Sequence, residues 1–249
     1  MRWLERLFGR NETADDDVAA TMAQATAAVE RGEHAAALAL WGPLAHAGVG
    51  RAQNNIGACF AEGLGVARDP ALALRWLSLS AEGGDPVGQR NLAALHFKGE
   101  GIEQSDVEAM RLYRLAAEQG DAPAQDMLSW MLLEGADPAD RIEALRWAQA
   151  AAEAGIATSM TRLGMMHHDA LGVERSADTA AQWWRRGMAA GDPDSEAMLG
   201  AATLLGQGVP PDAEGALLLL LSAEGKGSPL AAPFIKAARA AAAPAEPEA

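Results

Sequence analysis

The strongest constraint on this chain is that it repeats itself. Between Ala52 and Gly84 it runs Ala52, Ile56-Gly57, Phe60, Gly63-Leu64-Gly65-Val66, Asp69, Ala73, Trp76, Ser80-Ala81 and Gly84. The same template returns further on at Ala124, Leu128, Gly135, Ala144, Trp147, Ala151-Ala152 and Gly155. A period in the thirties marks an array of supersecondary units, each too small to bury its apolar face except against its neighbours. That excludes a closed globular core and makes binding the expected function.

The punctuation between units sets the secondary structure. Gly84-Asp85-Pro86, Gly120-Asp121-Ala122, Gly191-Asp192-Pro193 and Gly227-Ser228-Pro229 each place glycine past one helix, a capping residue, and then the start of the next. First helices are predicted from near Ala52, Gly88, Ala124, Ser159 and Ser195, and a last helix from near Ala231. Within a unit the chain turns at Gly63-Leu64-Gly65-Val66, Gly99-Glu100-Gly101-Ile102, Ala170-Leu171-Gly172-Val173 and Gly206-Gln207-Gly208-Val209, with a shorter turn at Gly135-Ala136-Asp137-Pro138. Asp69, Ser105, Ser176 and Asp212 are placed to cap the second helices. Gly57, Ala93, Ser129, Gly164 and Gly200 share one first-helix position, where a small residue admits a close neighbour. Trp76, Leu112, Trp147 and Trp183 share a second-helix position predicted to be core.

The predicted fold is therefore all-α, a right-handed α-solenoid of about six antiparallel helical pairs. Alanine-rich composition with few aromatics supports helix throughout. The expected organisation is an amphipathic segment and linker at 1–17, a degenerate first repeat at 18–48, five fuller repeats at 52–227, a capping helix at 228–243 and a disordered tail at 244–249. Acidic residues at 11–17 suit either a linker or the first turn of the next helix. Pro43 falls inside the second helix of the first repeat.

Thirty-four acidic against twenty basic residues give a net charge of −14, which argues against a nucleic-acid partner. The single cysteine, Cys59, allows no internal disulfide, and no apolar run approaches a membrane span, so a cytoplasmic protein is expected. Residues 1–10 stand apart. Trp3, Leu4, Leu7 and Phe8 fall on one helical face and Arg2, Arg6 and Arg10 on another. This segment either caps the first repeat or rests weakly on an anionic membrane, which would make the chain a peripheral adaptor at the inner membrane face.

No sequence pattern supports chemistry. Gly63-Leu64-Gly65 lacks the preceding strand and the Gly-Lys-Ser/Thr or third glycine of a phosphate loop. His167-His168-Asp169 places its histidines on adjacent positions, about 100° apart on a helix, whereas chelation needs a spacing of three or four. No cofactor, metal or catalytic residue is expected. First helices of such arrays line the concave side, so their non-core positions form the predicted partner groove: Arg51, Asn54 and Asn55; Arg90, Asn91, Phe97 and Lys98; Asp126 and Trp130; Arg162, Met165 and His168. Asn and Arg at matched positions can hold a peptide main chain or carboxylate.

The small and aromatic residues around Gly-x-Gly-Val, followed by Asp, Ala, Trp and a small pair, resemble the Sel1-like repeat, a relative of the tetratricopeptide repeat. The likeness runs from about Ala52 to Gly227. It implies an α-solenoid scaffold or adaptor that binds proteins or peptides. The chain departs from the family where a lysine usually precedes the second-helix alanine: these positions hold Leu72, Glu108, Glu143, Thr179 and Gly215. Some secreted members rich in paired cysteines are linked with β-lactams, but a hydrolase of β-lactam or cell-wall type is disfavoured here by the lone cysteine and the lack of a nucleophile context.

Overall fold

The computed structural model describes residues 12–135 and 137–243. The segment at 1–10 and the tail at 244–249 lie outside them, so neither the cap nor the membrane reading of Arg2, Trp3, Leu4, Arg6, Leu7, Phe8 and Arg10 meets a structural observation. The described residues form thirteen α-helices and no strand. They fall into two compact units, divided after Asp121.

The first unit holds α1 (Glu12–Glu30), α2 (His34–His46), α3 (Gly50–Glu62), α4 (Pro70–Glu82), α5 (Pro86–Lys98) and α6 (Asp106–Glu118). The second holds α7 (Ala122–Glu134), α8 (Pro138–Glu153), α9 (Ala157–Asp169), α10 (Ala177–Ala189), α11 (Pro193–Leu205), α12 (Ala213–Gly225) and α13 (Ala232–Ala242). In each unit, consecutive helices pack as pairs and each pair packs on the next, for example α3 on α4, α4 on α5, α9 on α10 and α10 on α11. The chain is thus the all-α array of helix pairs that its period predicts.

Helix boundaries follow the predicted chemistry closely. Asp69 accepts from the amides of Ala71 and Leu72, Ser105 from Glu108, Ser176 from Thr179 and Asp212 from Gly215. First helices end in the left-handed region at Gly63, Gly99 and Gly206, where glycine carries no Cβ penalty. Ala170 takes the same conformation, φ 57°, at the matching position of its repeat. The shorter third turn lets α8 begin early, and it runs 16 residues where its counterparts α4, α6, α10 and α12 run 13. α1 begins at Glu12, so residues 12–17 are helical rather than linker.

Packing rests on pairing small residues with large ones. A Cβ on Gly57 would lie 2.8 Å from Leu77, one on Gly200 2.9 Å from Leu220, and one on Gly164 2.1 Å from the Trp184 Nε1. Where the position is Ser129, its hydroxyl donates to the Ala144 carbonyl at 2.9 Å. Leu112 and Trp147 are buried as expected, whereas Trp76 and Trp183 are only half-buried. In those two repeats the following residue, Leu77 or Trp184, occupies the deeper place. Trp183 instead lies beneath the Arg186 guanidinium, 4.2 Å from its ring centroid.

Candidate partner-binding site

The predicted groove residues stand on α3, α5, α7 and α9, and stacking gives most of the polar ones partners in a neighbouring repeat. In the first unit Arg51 Nε donates to Asp85 at 3.0 Å and Arg90 Nη1 to Asp121 at 3.0 Å. Asn91 Nδ2 donates to Asn54 Oδ1 at 2.8 Å, and Asn54 Nδ2 to Asn55 Oδ1 at 3.1 Å. Asn54 is only 3 % exposed, so it belongs to the interior of the stack rather than to an open groove. Phe97 is half-buried and Lys98 exposed. The reason is geometric: stacking brings the starts of successive first helices together, so a polar side chain there finds a partner roughly one period away in sequence.

The second unit repeats the arrangement. Arg162 Nη1 donates to Asp126 Oδ1 at 2.5 Å and to its carbonyl at 3.2 Å, while the hydroxyls of Ser159 and Thr158 donate to the same carboxylate at 2.5 and 3.1 Å. His168 lies between Asp169 Oδ1 at 2.6 Å and Gln207 Oε1 at 3.0 Å, with its ring tilted against Trp184 at 5.8 Å. Among the described residues, no three His, Cys, Asp or Glu side chains converge as metal ligands.

Two predicted residues remain as apolar surface. Trp130 is 37 % exposed and Met165 39 %, and they occupy the same position of successive repeats. Together with Arg162 they line a hollow of about 500 Å³, walled also by Leu133, Leu171 and Leu230 and edged by Glu134, Asp192 and Asp194. A large exposed aromatic beside a flexible thioether, over an apolar floor with carboxylates at the edge, can receive an apolar side chain flanked by cationic or amide groups.

A second hollow, of about 530 Å³, lies in the first unit. Arg51 and Asn55 line it, as do Met22, Thr26, Val29, His34 and Trp41 from the first helix pair. Sequence reasoning missed the contribution of α1 and α2, because that pair departs from the repeat template and no register carried positions onto it. The available signal was Trp41, a bulky residue in an alanine-rich pair.

Burial sets the titration behaviour around these helices. It raises the Tyr113 hydroxyl to about 12, with Arg90 partly offsetting the shift. It also pushes the Cys59 thiol up and the His167 imidazole below its ordinary value, the latter opposed by a backbone hydrogen bond with Glu174. Among the described residues no helix is long and apolar enough to cross a membrane.

The Sel1 repeat model matches five consecutive segments, residues 50–85, 86–121, 122–156, 157–192 and 193–228. No curated protein matches the chain. Among solved structures, a Sel1 repeat protein from Oxalobacter formigenes is similar at 28 % identity and a TM-score of 0.75, over 83 % of this chain and 86 % of that one. A protective antigen present in uropathogenic Escherichia coli strains, with the same fold, is similar at 27 % identity and a TM-score of 0.77. That alignment covers 90 % of this chain but only 49 % of the antigen, so the chain spans about half its length. An immunity protein from Pseudomonas aeruginosa, at 18 % identity and a TM-score of 0.50, shares the fold alone. With five contiguous repeats over residues 50–228 of its 249, the chain belongs to the Sel1 repeat family.

Proposed function

We propose that this chain is a non-enzymatic interaction module whose second unit holds a segment of a partner protein against Trp130 and Met165. Sel1 repeat solenoids are typically protein–protein interaction modules, which supports the general reading. The finer one rests on a single observation: the exposed Trp130 and Met165 flank a hollow of about 500 Å³ whose floor is apolar. Buried aromatic anchors dominate interface energetics, whereas polar residues already paired within a fold contribute little more to a partner. Arg162, held by Asp126, therefore shapes the wall, and Trp130 and Met165 supply the contact.

The test is partner capture from the native cell by wild-type protein and by a Trp130→Ala, Met165→Ala double variant. Both side chains are partly exposed, so helicity and melting temperature should change little. Loss of the proteins retained by wild type is expected. Equal retention by the two would remove this surface from consideration.

A further inference from the structure

We propose that the partner segment held by the second unit is cationic and amphipathic, an apolar anchor flanked by arginine or lysine. This rests on the reading of Trp130 and Met165 just given and goes further by naming the chemistry of the occupant. Charge carries it. Among the described residues lining the hollow, Glu134, Asp192 and Asp194 are acidic and Arg162 is the one base. Arg162 is already neutralised: its side chain is 14 % exposed, and its Nη1 donates to Asp126 Oδ1 at 2.5 Å and to the Asp126 carbonyl at 3.2 Å. The three rim carboxylates pair with no cation among the described residues.

Their oxygens are available. Asp192 accepts the Ser195 amide, at 2.9 Å, and the Thr161 hydroxyl through Oδ2, and Asp194 accepts the Ser228 hydroxyl through Oδ1 at 2.6 Å, so each offers its other oxygen to an incoming donor. Both stand at the start of α11, whose amides offset part of their charge. Glu134 is placed the opposite way. It is exposed and closes α7, where the carbonyl end of the helix adds to its negative potential, so it is the strongest single attractor on the rim. An acidic or phosphorylated segment would meet three like charges around an apolar floor. A wholly apolar one would cover these carboxylates without giving them a partner, and burying an unpaired charge is costly. A segment with a cation beside its anchor satisfies the floor and the rim together.

The experiment is calorimetric titration of the full chain with three acetylated, amidated peptides. The first has the sequence of residues 2–10, in which three arginines accompany Trp3, Leu4, Leu7 and Phe8; its twins carry glutamine or glutamate in place of every arginine. The arginine peptide should bind saturably, the glutamine twin about tenfold more weakly, and the glutamate twin not measurably. Glu134→Gln should weaken the arginine peptide about two- to fivefold and leave the glutamine twin unchanged. Glu214→Gln, which alters an exposed carboxylate of α12 outside the hollow, should change neither. Binding by none of the three, or equal or tighter binding by the glutamine or glutamate twin, overturns the proposal. So does an arginine preference that survives Glu134→Gln or falls as far with Glu214→Gln, because it would then come from the net charge of −14 and not from this rim. None of these results touches the Trp130 and Met165 reading, which fails separately if the double variant retains the same cellular proteins as wild type.

Discussion

Gly164→Ala tests the packing rule most sharply. In a helix interior the change should stabilise by about 1 kcal/mol, since alanine restricts the unfolded chain and favours helix. Here the new Cβ would sit 2.1 Å from Trp184 Nε1 and 2.4 Å from its Cδ1, far inside van der Waals contact. Trp184 is a rigid ring, 1 % exposed, with its N–H donated to the Thr161 carbonyl at 3.3 Å, so the neighbour cannot yield cheaply. Overpacking of this kind costs typically 1–3 kcal/mol and occasionally more. With the clash this severe we take about 4 kcal/mol, giving a net loss near 3 kcal/mol and a melting temperature lower by roughly 6–12 °C. Gly57→Ala and Gly200→Ala are internal references, because there the facing atoms belong to flexible leucines, Leu77 and Leu220, at 2.8 and 2.9 Å. Thermal and urea unfolding of the three variants should rank Gly164→Ala as clearly the worst. Adding Trp184→Leu, the residue type facing glycine in the other two repeats, should recover much of the loss. Equal effects at Gly57 and Gly164, or no recovery in the double variant, would refute the small-against-large account.

Tyr113 is the only tyrosine, and its raised pKa means the folded state disfavours the phenolate. The associated stability is therefore fully present below the ordinary value of 10 and is lost as pH rises towards about 12; absorbance at alkaline pH should show one midpoint near 12 in the folded chain and near 10 in urea. Replacing Arg90 by alanine deprives the Asp121 side chain, 7 % exposed, of a partner, and should cost about 1–3 kcal/mol. Arg51→Ala, whose side chain is 46 % exposed, should cost under about 1 kcal/mol by the same chemical-unfolding measurement, and the reverse order would show that burial does not govern these pairs. For residues 1–10, sedimentation with anionic vesicles should be weak and vanish by about 0.5 M salt, whereas salt-resistant binding would refute an electrostatic contribution.

The fold was legible because its signals are local. Asp69, Ser105, Ser176 and Asp212 cap where they were placed, since a capping side chain needs only amides two or three residues ahead. Core depth was legible to within one residue. A helix presents adjacent positions about 100° apart, so a register reading places Trp183 and Trp184 side by side, and it is Trp184 that packs against Gly164 and goes deeper. The candidate site was harder to read, because its polar residues act across a whole period. Arg90 on one repeat and Asp121 at the end of that repeat look like two unrelated surface charges until stacking brings them together. The hollow beside Trp41 was invisible for another reason: a cavity is made of missing atoms, and no pattern of residues records them.

Asp85 and Asp192 also change how the repeats come apart. Asp85 accepts from the Gly88 amide at 2.8 Å, holding the first turn of α5, and from Arg51 at the start of α3 in the preceding helix pair. Asp192 does the same between the Ser195 amide, at 2.9 Å, and the Thr161 hydroxyl. Fraying a helix start and parting two repeats thus break the same carboxylate's bonds, so neither event proceeds alone. In a one-dimensional array this raises the coupling between neighbours at the expense of each repeat's independence. Within each unit the seam is latched rather than hinged, and slow amide exchange at Gly88 and Ser195 would report the opening of a repeat boundary instead of the loosening of one helix end.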